Sequence, residues 1–192
     1  MSRQARILLV DDRPENLIAL DAILSPLNQI LVPVRSGEEA LEALLSGEFA
    51  VVLLDIVMPG MNGMETAARI KQNAKNRDVP IIFLTAAIAQ PEQPFLGYAA
   101  GAVDYLAKPF DPEVLKAKVS VFVDLYLKAS QLRDQAELLS GRLEAVEETV
   151  AALRQLPAVS QDAEARETAA RLAGRVGGLR DALGVPGGSR PR

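Results

Sequence analysis

The feature that most constrains the fold of this chain is a fivefold alternation of short apolar runs with longer amphipathic stretches. The runs are rich in valine, isoleucine and leucine, and they begin at Ile7, Leu31, Val51, Ile81 and Val103. Short apolar runs bounded by turn residues are typical of strands buried on both faces, and the stretches between them predict helices. Strands that alternate with helices predict a parallel sheet covered by helices on both faces. We therefore expect an α/β domain with a five-stranded, doubly wound parallel sheet.

Turn and capping residues indicate where several of these elements begin. Pro14 suits the first turn of the first helix, and Ser36 or Gly37 opens the second. Pro33 lies inside the second apolar run, and because proline cannot donate a ladder hydrogen bond, this strand is expected at an edge of the sheet. A weak further helix is predicted around residues 95–100.

The amino-acid composition excludes several kinds of chemistry. The chain has no cysteine and no histidine, so thiolate chemistry and the commonest general base are both absent. Any bound metal must then be held by oxygen ligands, which favours Mg²⁺, Ca²⁺ or Mn²⁺. The net charge of −4 gives no general reason to expect nucleic-acid binding. No apolar run is long enough for a signal peptide or a membrane span, so we expect a cytoplasmic protein.

Polar side chains follow or end four of the five predicted strands. Asp11 and Asp12 follow the first strand, Asp55 ends the third, Thr85 ends the fourth and Lys108 follows the fifth. Each residue could instead have an ordinary structural role: the aspartates could cap a loop or helix, Thr85 could be a plain strand residue, and Lys108 could be a solvated surface charge. Because the carboxyl ends of parallel strands meet at one edge, where open α/β sheets bind ligands, we expect these side chains to converge. Three crowded carboxylates repel one another unless a cation lies among them, and an oxygen-lined site of this kind suits Mg²⁺.

With these residues in place, the segment from about Ala5 to Leu127 resembles the receiver domain of two-component response regulators. The matching features occur in order at compatible spacing: Asp11-Asp12, Asp55 followed by Met58-Pro59-Gly60-Met61-Asn62-Gly63, Thr85-Ala86, and Lys108-Pro109. The resemblance implies a flavodoxin-like sheet with strand order 2-1-3-4-5.

The resemblance also implies a phosphoryl-transfer site. Asp55 is then the residue that accepts a phosphoryl group from a histidine kinase. Asp12 and Asp55 bind Mg²⁺ (or Mn²⁺) directly, Asp11 binds it through water, and Val57 supplies its carbonyl oxygen. A carboxylate is a competent nucleophile for this reaction and is ionised at neutral pH, which fits a chain without histidine.

Three further roles follow from the resemblance. Lys108 pairs with one phosphoryl oxygen, and Thr85 hydrogen-bonds to another. Movement of Thr85 is linked to inward rotation of an aromatic residue on the fifth strand, and Tyr105 stands at that position. The face that contains the fourth helix, the fifth strand and the following helix is then the output surface. An ordinary half-buried strand tyrosine would also explain Tyr105.

Beyond the fifth strand, a second pattern begins that a single receiver domain does not need. Apolar residues recur at alternating steps of three and four, as in the seam of a coiled coil: Phe122, Leu125, Ala129, Leu132, Ala136, Leu139, Leu143, Val146, Val150 and Leu153. A helix of about 40 residues runs for roughly 60 Å, which exceeds one receiver domain. We therefore expect a parallel homodimer through this helix, with an antiparallel pair left open.

A second tail helix is expected after Pro157, capped by Ser160. It repeats the rhythm of three and four but contains Gly174, Gly177 and Gly178, so it either folds back as a hairpin or stays frayed. Two such hairpins in a dimer would form a four-helix bundle. The expected division is a receiver domain (1–127), a coiled-coil extension (128–157), the second tail helix (158–183) and a disordered end (184–192).

Two classes of function, and one variant, remain open. In the first, phosphorylation switches a dimeric helical extension that signals to an unknown partner protein. In the second, the C-terminal helices bind DNA, which the interleaving of their basic and acidic residues disfavours. In the variant, the chain is a phosphate sink or decoy for a kinase. No segment resembles an enzymatic output domain, so the expected reactions are limited to self-phosphorylation and autodephosphorylation at Asp55.

Overall fold

The computed structural model of the protein describes residues 3–85, 104–156 and 161–184. Its elements, in chain order, are β1 (Arg6–Val10), α1 (Pro14–Leu24), a 3₁₀ turn (Ser25–Leu27), β2 (Ile30–Val34), α2 (Gly37–Ser46), β3 (Val51–Asp55), α3 (Gly63–Gln72), β4 (Ile81–Thr85), β5 (Asp104–Ala107), α4 (Pro112–Gln155) and α5 (Ala163–Leu183). The helix predicted around residues 95–100 lies outside the described residues. Across those residues, no helix is both long enough and apolar enough to cross a membrane.

The five strands form one parallel sheet in the order β2-β1-β3-β4-β5. This confirms the expected fold class and strand order. β2 lies at an edge, as predicted from Pro33, which pairs in register with Leu9 of β1. The missing proline N–H is tolerated there because β2 has a neighbour on one side only.

The core has two layers because successive strand residues point to opposite faces of the sheet. One cluster contains Leu9, Leu53 and Leu84 and packs against α1 and the first turns of α4. The other contains Leu8 and Leu54, with β4 residues such as Phe83, and packs against α2 and α3. Each fully buried leucine or isoleucine contributes about 1.5–3 kcal/mol. The two apolar layers therefore hold the strand ends in a fixed register.

Helices α2 and α3 begin with side-chain caps and approach each other closely. The hydroxyl of Ser36 accepts a hydrogen bond from the Glu39 N–H at 3.2 Å, which identifies Ser36 as the N-cap of α2. The carbonyl oxygen of the Asn62 side chain accepts from the Glu65 N–H at 2.9 Å. A Cβ atom on Gly37 would lie 2.2 Å from the Thr66 hydroxyl oxygen, so only glycine fits at this contact.

The chain divides into two compact units, residues 1–129 and 130–192. In the second unit α5 packs against the last part of α4. Val150 and Val176 are only 6% and 7% exposed, and Arg180 forms an ion pair with Glu147. The second tail helix therefore folds back as a hairpin, one of the two outcomes left open by its sequence.

The start of α5 differs from the sequence-based prediction, which named Ser160 as its cap. The N-cap is Asp162, whose carboxylate accepts hydrogen bonds from the N–H groups of Glu164 and Ala165. Ser160 lies outside the described residues. The aspartate accepts hydrogen bonds from two N–H groups that would otherwise lack partners at the helix start. Its negative charge also interacts favourably with the positive end of the helix dipole. The three glycines do not interrupt α5, which ends at Gly184 in the left-handed conformation (φ 64°).

Two glycine-to-alanine substitutions are expected to change stability in opposite directions. Gly37→Ala should lower the free energy of unfolding by about 1–3 kcal/mol, because the new methyl group overlaps the buried Thr66 side chain. Gly141→Ala, in α4, meets no atom within 4 Å and should raise it by up to about 1 kcal/mol through helix propensity. Urea unfolding followed by circular dichroism measures both. An unchanged Gly37→Ala protein would contradict the close approach of α2 and α3.

Candidate functional site

The predicted polar residues meet at the carboxyl edge of the sheet. β1 and β3 pair in register from Ile7 with Val51 to Val10 with Leu54, and Asp55 pairs with Leu84 of β4. Asp11 is the first residue after β1, and Lys108 is the first after β5. The residues at the carboxyl ends of β1, β3, β4 and β5 therefore lie close together.

Three carboxylates form the acidic part of this region. Asp11, Asp12 and Asp55 each place one oxygen within 4.8 Å of the others. Asp11 is completely buried, Asp55 is buried, and Asp12 is half-buried. Carboxylates this close raise one another's energy strongly when all are ionised. The cluster is therefore built to attract a cation.

Lys108 supplies a positive charge between two of the carboxylates. Its ammonium nitrogen lies 2.7 Å from Asp11 Oδ2 and 3.2 Å from Asp55 Oδ1. The backbone N–H of Lys108 donates to the carbonyl oxygen of Thr85 at 2.6 Å, which fixes the start of this loop to the end of β4. The ammonium group therefore pairs with Asp11 and Asp55 at once.

The electrostatics of Asp55 reflect this balance. Burial raises the pKa of the Asp55 carboxyl above its ordinary value, because the charged form loses solvation. The charge of Lys108 and its hydrogen bond oppose that rise, whereas the charge of Asp11 adds to it. Keeping Asp55 ionised therefore lowers the free energy of unfolding, and an additional positive charge nearby would offset this loss.

The loop after Asp55 returns tightly to the same strand. The Gly63 N–H donates to the Ile56 carbonyl at 3.0 Å, and a Cβ atom on Gly63 would lie 2.1 Å from the Asp55 carbonyl oxygen. Gly60 adopts the left-handed conformation at φ 73°. Val57, which lies between Asp55 and Gly60, is 69% exposed. The motif after Asp55 is thus a compact turn that brings the first residue of α3 onto the backbone of Asp55.

Thr85 ends β4, the strand next to Asp55, and Tyr105 lies on β5, the strand beyond β4. Thr85 is buried at the end of β4. The Tyr105 ring packs against Phe83, with ring centroids 5.3 Å apart and planes tilted by 36°, and its hydroxyl oxygen is inaccessible to solvent. Tyr105 is therefore partly buried against Phe83, and its role as a switch residue stays a prediction.

The seam residues of the second unit fall into two groups. Val150 is buried and Leu143 is half-buried on the side of α4 that carries the contact with α5. The other group lies seven residues apart and is exposed within the chain: Leu132, Leu139, Val146 and Leu153. The hairpin thus uses only one of the two heptad positions that form the seam.

Sequence reasoning missed one residue of the site, Asn16. Its side-chain nitrogen donates to both carboxylate oxygens of Asp11, at 2.8 and 2.9 Å. The available signal was an asparagine in the first turn of α1, five residues after Asp11, but such residues are frequent near helix starts for reasons of capping alone.

Comparison with known proteins decides the family. Residues 7–120 match the model of the response regulator receiver domain. The chain belongs to the response regulator receiver family. A receiver domain of the sensor histidine kinase PA1611 from Pseudomonas aeruginosa, solved with a magnesium ion in its active-site cleft, is 30% identical, with a TM-score of 0.58 over 64% of this chain and 99% of that one.

Two curated relatives match this receiver over more than the family model covers. A probable cyclic di-GMP phosphodiesterase of Vibrio cholerae is 37% identical over 77% of this chain and 34% of its own length. The uncharacterized transcriptional regulatory protein YrkP of Bacillus subtilis is 34% identical over 74% of this chain and 61% of its own. The chain therefore spans between about a third and about three fifths of these relatives.

The acidic residues of this receiver fit a divalent metal. Asp11, Asp12 and Asp55 form the aspartate triad that is typical of the Mg²⁺ site in receiver domains. Hard oxygen ligands of this kind suit Mg²⁺, and the ammonium group of Lys108 already shows that a cation is accommodated beside Asp11 and Asp55.

The raised pKa of Asp55 predicts how the metal-free receiver responds to pH. A carboxyl with a raised folded pKa contributes stability that is fully present below its unfolded pKa and is lost as the pH rises through the folded pKa. At neutral pH, Asp55→Asn should therefore unfold at a higher temperature than wild type in the presence of EDTA. The difference should shrink as the pH falls, because wild-type Asp55 then becomes neutral as well.

Thermal unfolding across a pH series measures this difference. Asp124→Asn, which neutralises an exposed aspartate of α4, is the matched control and should show no comparable gain. A lower midpoint for Asp55→Asn at neutral pH would contradict the cost assigned to the buried carboxylate.

Proposed function

We propose that this receiver accepts a phosphoryl group on Asp55 from a histidine kinase, and that the phosphorylated state changes a dimeric helical extension that signals to a partner protein. The observation that carries the proposal is the position of Asp55, which is buried at the sheet edge between two further acids and beside Lys108. A cytoplasmic location is part of the proposal, since this is where receivers usually act. The proposed division of labour is a receiver over residues 1–127 and a helical extension after it.

The chemistry assigned to Asp55 is nucleophilic. A carboxylate oxygen of Asp55 attacks the phosphorus of the phosphohistidine, the P–N bond breaks as the P–O bond forms, and the imidazole leaves and takes up a proton. No general base is required, because the carboxylate needs no deprotonation near neutral pH. Phosphoryl transfer depends mainly on positioning and on stabilisation of the charge that spreads over the phosphoryl oxygens.

Four residues would hold the cation in this site. Asp12 and Asp55 would bind Mg²⁺ or Mn²⁺ directly, Asp11 through water and Val57 through its carbonyl oxygen. When bound, the metal supplies positive charge that neutralises the phosphoryl oxygens. The short turn that Gly63 closes onto Asp55 supports the role of the Val57 carbonyl, because it keeps this loop next to the acids.

Lys108 and Thr85 would recognise the phosphoryl group. Lys108 is already shared between Asp11 and Asp55, so a phosphoryl oxygen on Asp55 offers its ammonium group a stronger partner nearby. Thr85 would hydrogen-bond another phosphoryl oxygen. The partly buried Tyr105 ring beside Phe83 would respond to this change on β5, as the switch residue of the output surface.

The helical extension would carry the signal through a homodimer. Within one chain, Leu132, Leu139, Val146 and Leu153 of α4 remain exposed, as do Leu172 and Leu179 of α5. Both sets repeat every seven residues, the spacing at which helices of a bundle pack together. A second copy of the hairpin would bury both sets and complete a four-helix bundle. This arrangement is preferred to a two-stranded coil, because α5 already covers Val150.

The comparisons support a transmitting role for α4. The matches to the probable phosphodiesterase and to YrkP cover 77% and 74% of this chain, more than the receiver segment, so the similarity continues into the long helix. The kinase origin of the PA1611 receiver supports a histidine kinase as the phosphoryl donor. A protein partner is favoured over DNA, since Arg180 of α5 is engaged with Glu147 within the hairpin.

The phosphoryl acceptor is tested with a small donor. Wild-type protein incubated with acetyl phosphate and Mg²⁺ should gain the mass of one phosphoryl group, and Asp55→Asn should gain none, because its amide is not a nucleophile. EDTA should abolish the gain. Intact-mass spectrometry measures it, with Asp124→Asn as the control that labels like wild type. Equal labelling of wild type and Asp55→Asn would reject Asp55 as the acceptor.

The dimer is tested with two adjacent leucines of α4. Leu138 and Leu139 are similarly exposed in the chain, at 57% and 50%, but only Leu139 belongs to the seam. Leu139→Glu should weaken the dimer by at least about 2 kcal/mol per copy, because a leucine that packs between the copies is lost. Leu138→Glu should leave the dimer intact.

Light scattering at micromolar concentration measures both variants, together with wild type and a version that ends at Leu127. The truncated version should be monomeric. Wild-type protein that is itself monomeric would overturn the dimer, and equal behaviour of the two leucine variants would overturn the assigned seam.

A further inference from the structure

Asn16 is in direct contact with the buried acid of the site. Its side-chain nitrogen lies 2.8 Å from Asp11 Oδ1 and 2.9 Å from Asp11 Oδ2, in the first turn of α1. Asp11 has no exposed surface. A carboxylate so placed depends on protein donors for both of its oxygens, because unpaired buried charge is costly.

The donors to Asp11 can be assigned to each oxygen. Oδ1 accepts from the Arg13 N–H at 3.0 Å and from Asn16, and Oδ2 accepts from Asn16 and from the Lys108 ammonium at 2.7 Å. Asn16 is the one residue among these that contacts both oxygens. It therefore restricts rotation of the carboxylate about its Cβ–Cγ bond, which neither of the other donors does alone.

Lys108 cannot serve Asp11 alone, because it also lies 3.2 Å from Asp55. In the proposed reaction its ammonium group turns to a phosphoryl oxygen on Asp55, and Asp11 then loses its ion pair with Lys108. The Arg13 N–H and Asn16 remain. A side chain that holds Asp11 in place throughout would keep its oxygens aimed at the metal and its water.

We propose that Asn16 is a positioning residue of the cation site, which fixes the orientation of Asp11 and thereby raises the affinity of the receiver for Mg²⁺. This inference rests on the proposed Mg²⁺ site. Hydrogen-bond partners of metal-site ligands commonly change metal affinity by 10-fold or more when they are lost. Asn16 does not touch the phosphoryl group in this scheme, so it acts on binding of the cation and not on the transfer step.

The test is Mg²⁺ binding to the full, unphosphorylated chain. Isothermal titration calorimetry should give Asn16→Leu a dissociation constant for Mg²⁺ about tenfold above wild type. The Mg²⁺ concentration for half-maximal labelling by acetyl phosphate should rise by the same factor. The labelling rate at saturating Mg²⁺ should stay within about twofold of wild type, because the reacting groups are unchanged.

Two variants separate positioning from a general effect on the fold. Asn16→Gln keeps an amide donor and should recover part of the lost affinity. Gln72→Leu makes the matched amide-to-leucine change at an exposed position at the end of α3, and should bind Mg²⁺ like wild type. If Asn16→Leu fails to fold by circular dichroism, Asn16→Ala carries the same expectation.

The outcomes distinguish this inference from the function on which it rests. If wild type and Asn16→Leu bind Mg²⁺ with equal affinity, the proposed role of Asn16 is wrong and the proposed function stays intact. Wild type that binds no Mg²⁺ would overturn both. A loss of labelling rate at saturating Mg²⁺, with unchanged affinity, would also overturn the positioning role.

Discussion

Repulsion among three carboxylates at one sheet edge is the constraint on which the site depends. Asp11, Asp12 and Asp55 approach within 4.8 Å only because the paired strands leave them no other place. The apolar layers on both faces of the sheet stabilise this register far more than the acids oppose it. Lys108 offsets part of the repulsion, and a bound divalent cation would offset more. The fold thus holds an excess of negative charge that a bound divalent cation would relieve.

Close contacts leave little free space around this edge. Glycine at position 63 lets α3 begin directly on the backbone of Asp55, and Gly37 lets α2 approach Thr66 of α3. Neither contact leaves room for a side chain. A change in charge at Asp55 is therefore more readily relieved through the groups around it, such as Lys108, than by deformation of the turn. For this reason the proposed switch assigns the response to phosphorylation to Lys108, Thr85 and Tyr105, and not to the turn after Asp55.

The second unit illustrates how one heptad pattern can serve two interfaces. The position that contains Val150 is buried in the hairpin, whereas the position that contains Leu139 and Val146 stays exposed within the chain. If α4 had only one row of apolar residues, its contact with α5 would bury all of it. Because α4 has two such rows, the row with Val150 contacts α5 and the row with Leu139 and Val146 remains available to the proposed second copy. In the proposed dimer, the extension would therefore be half of a four-helix bundle and not one strand of a two-stranded coil.

The sequence alone determined the sheet, its edge strand and the residues at its carboxyl edge, because hydrophobic periodicity and turn residues are local signals that mark where strands end. Tertiary structure alone decided which groups touch there. Lys108 meets Asp11 across 97 residues of sequence, and Asn16, in the first turn of α1, contacts both oxygens of Asp11. The hairpin of α4 and α5 was likewise one of two outcomes, since the glycines of α5 disfavour a helix that packing on Val150 stabilises. Such contacts depend on distances between elements, and no pattern along the chain encodes them.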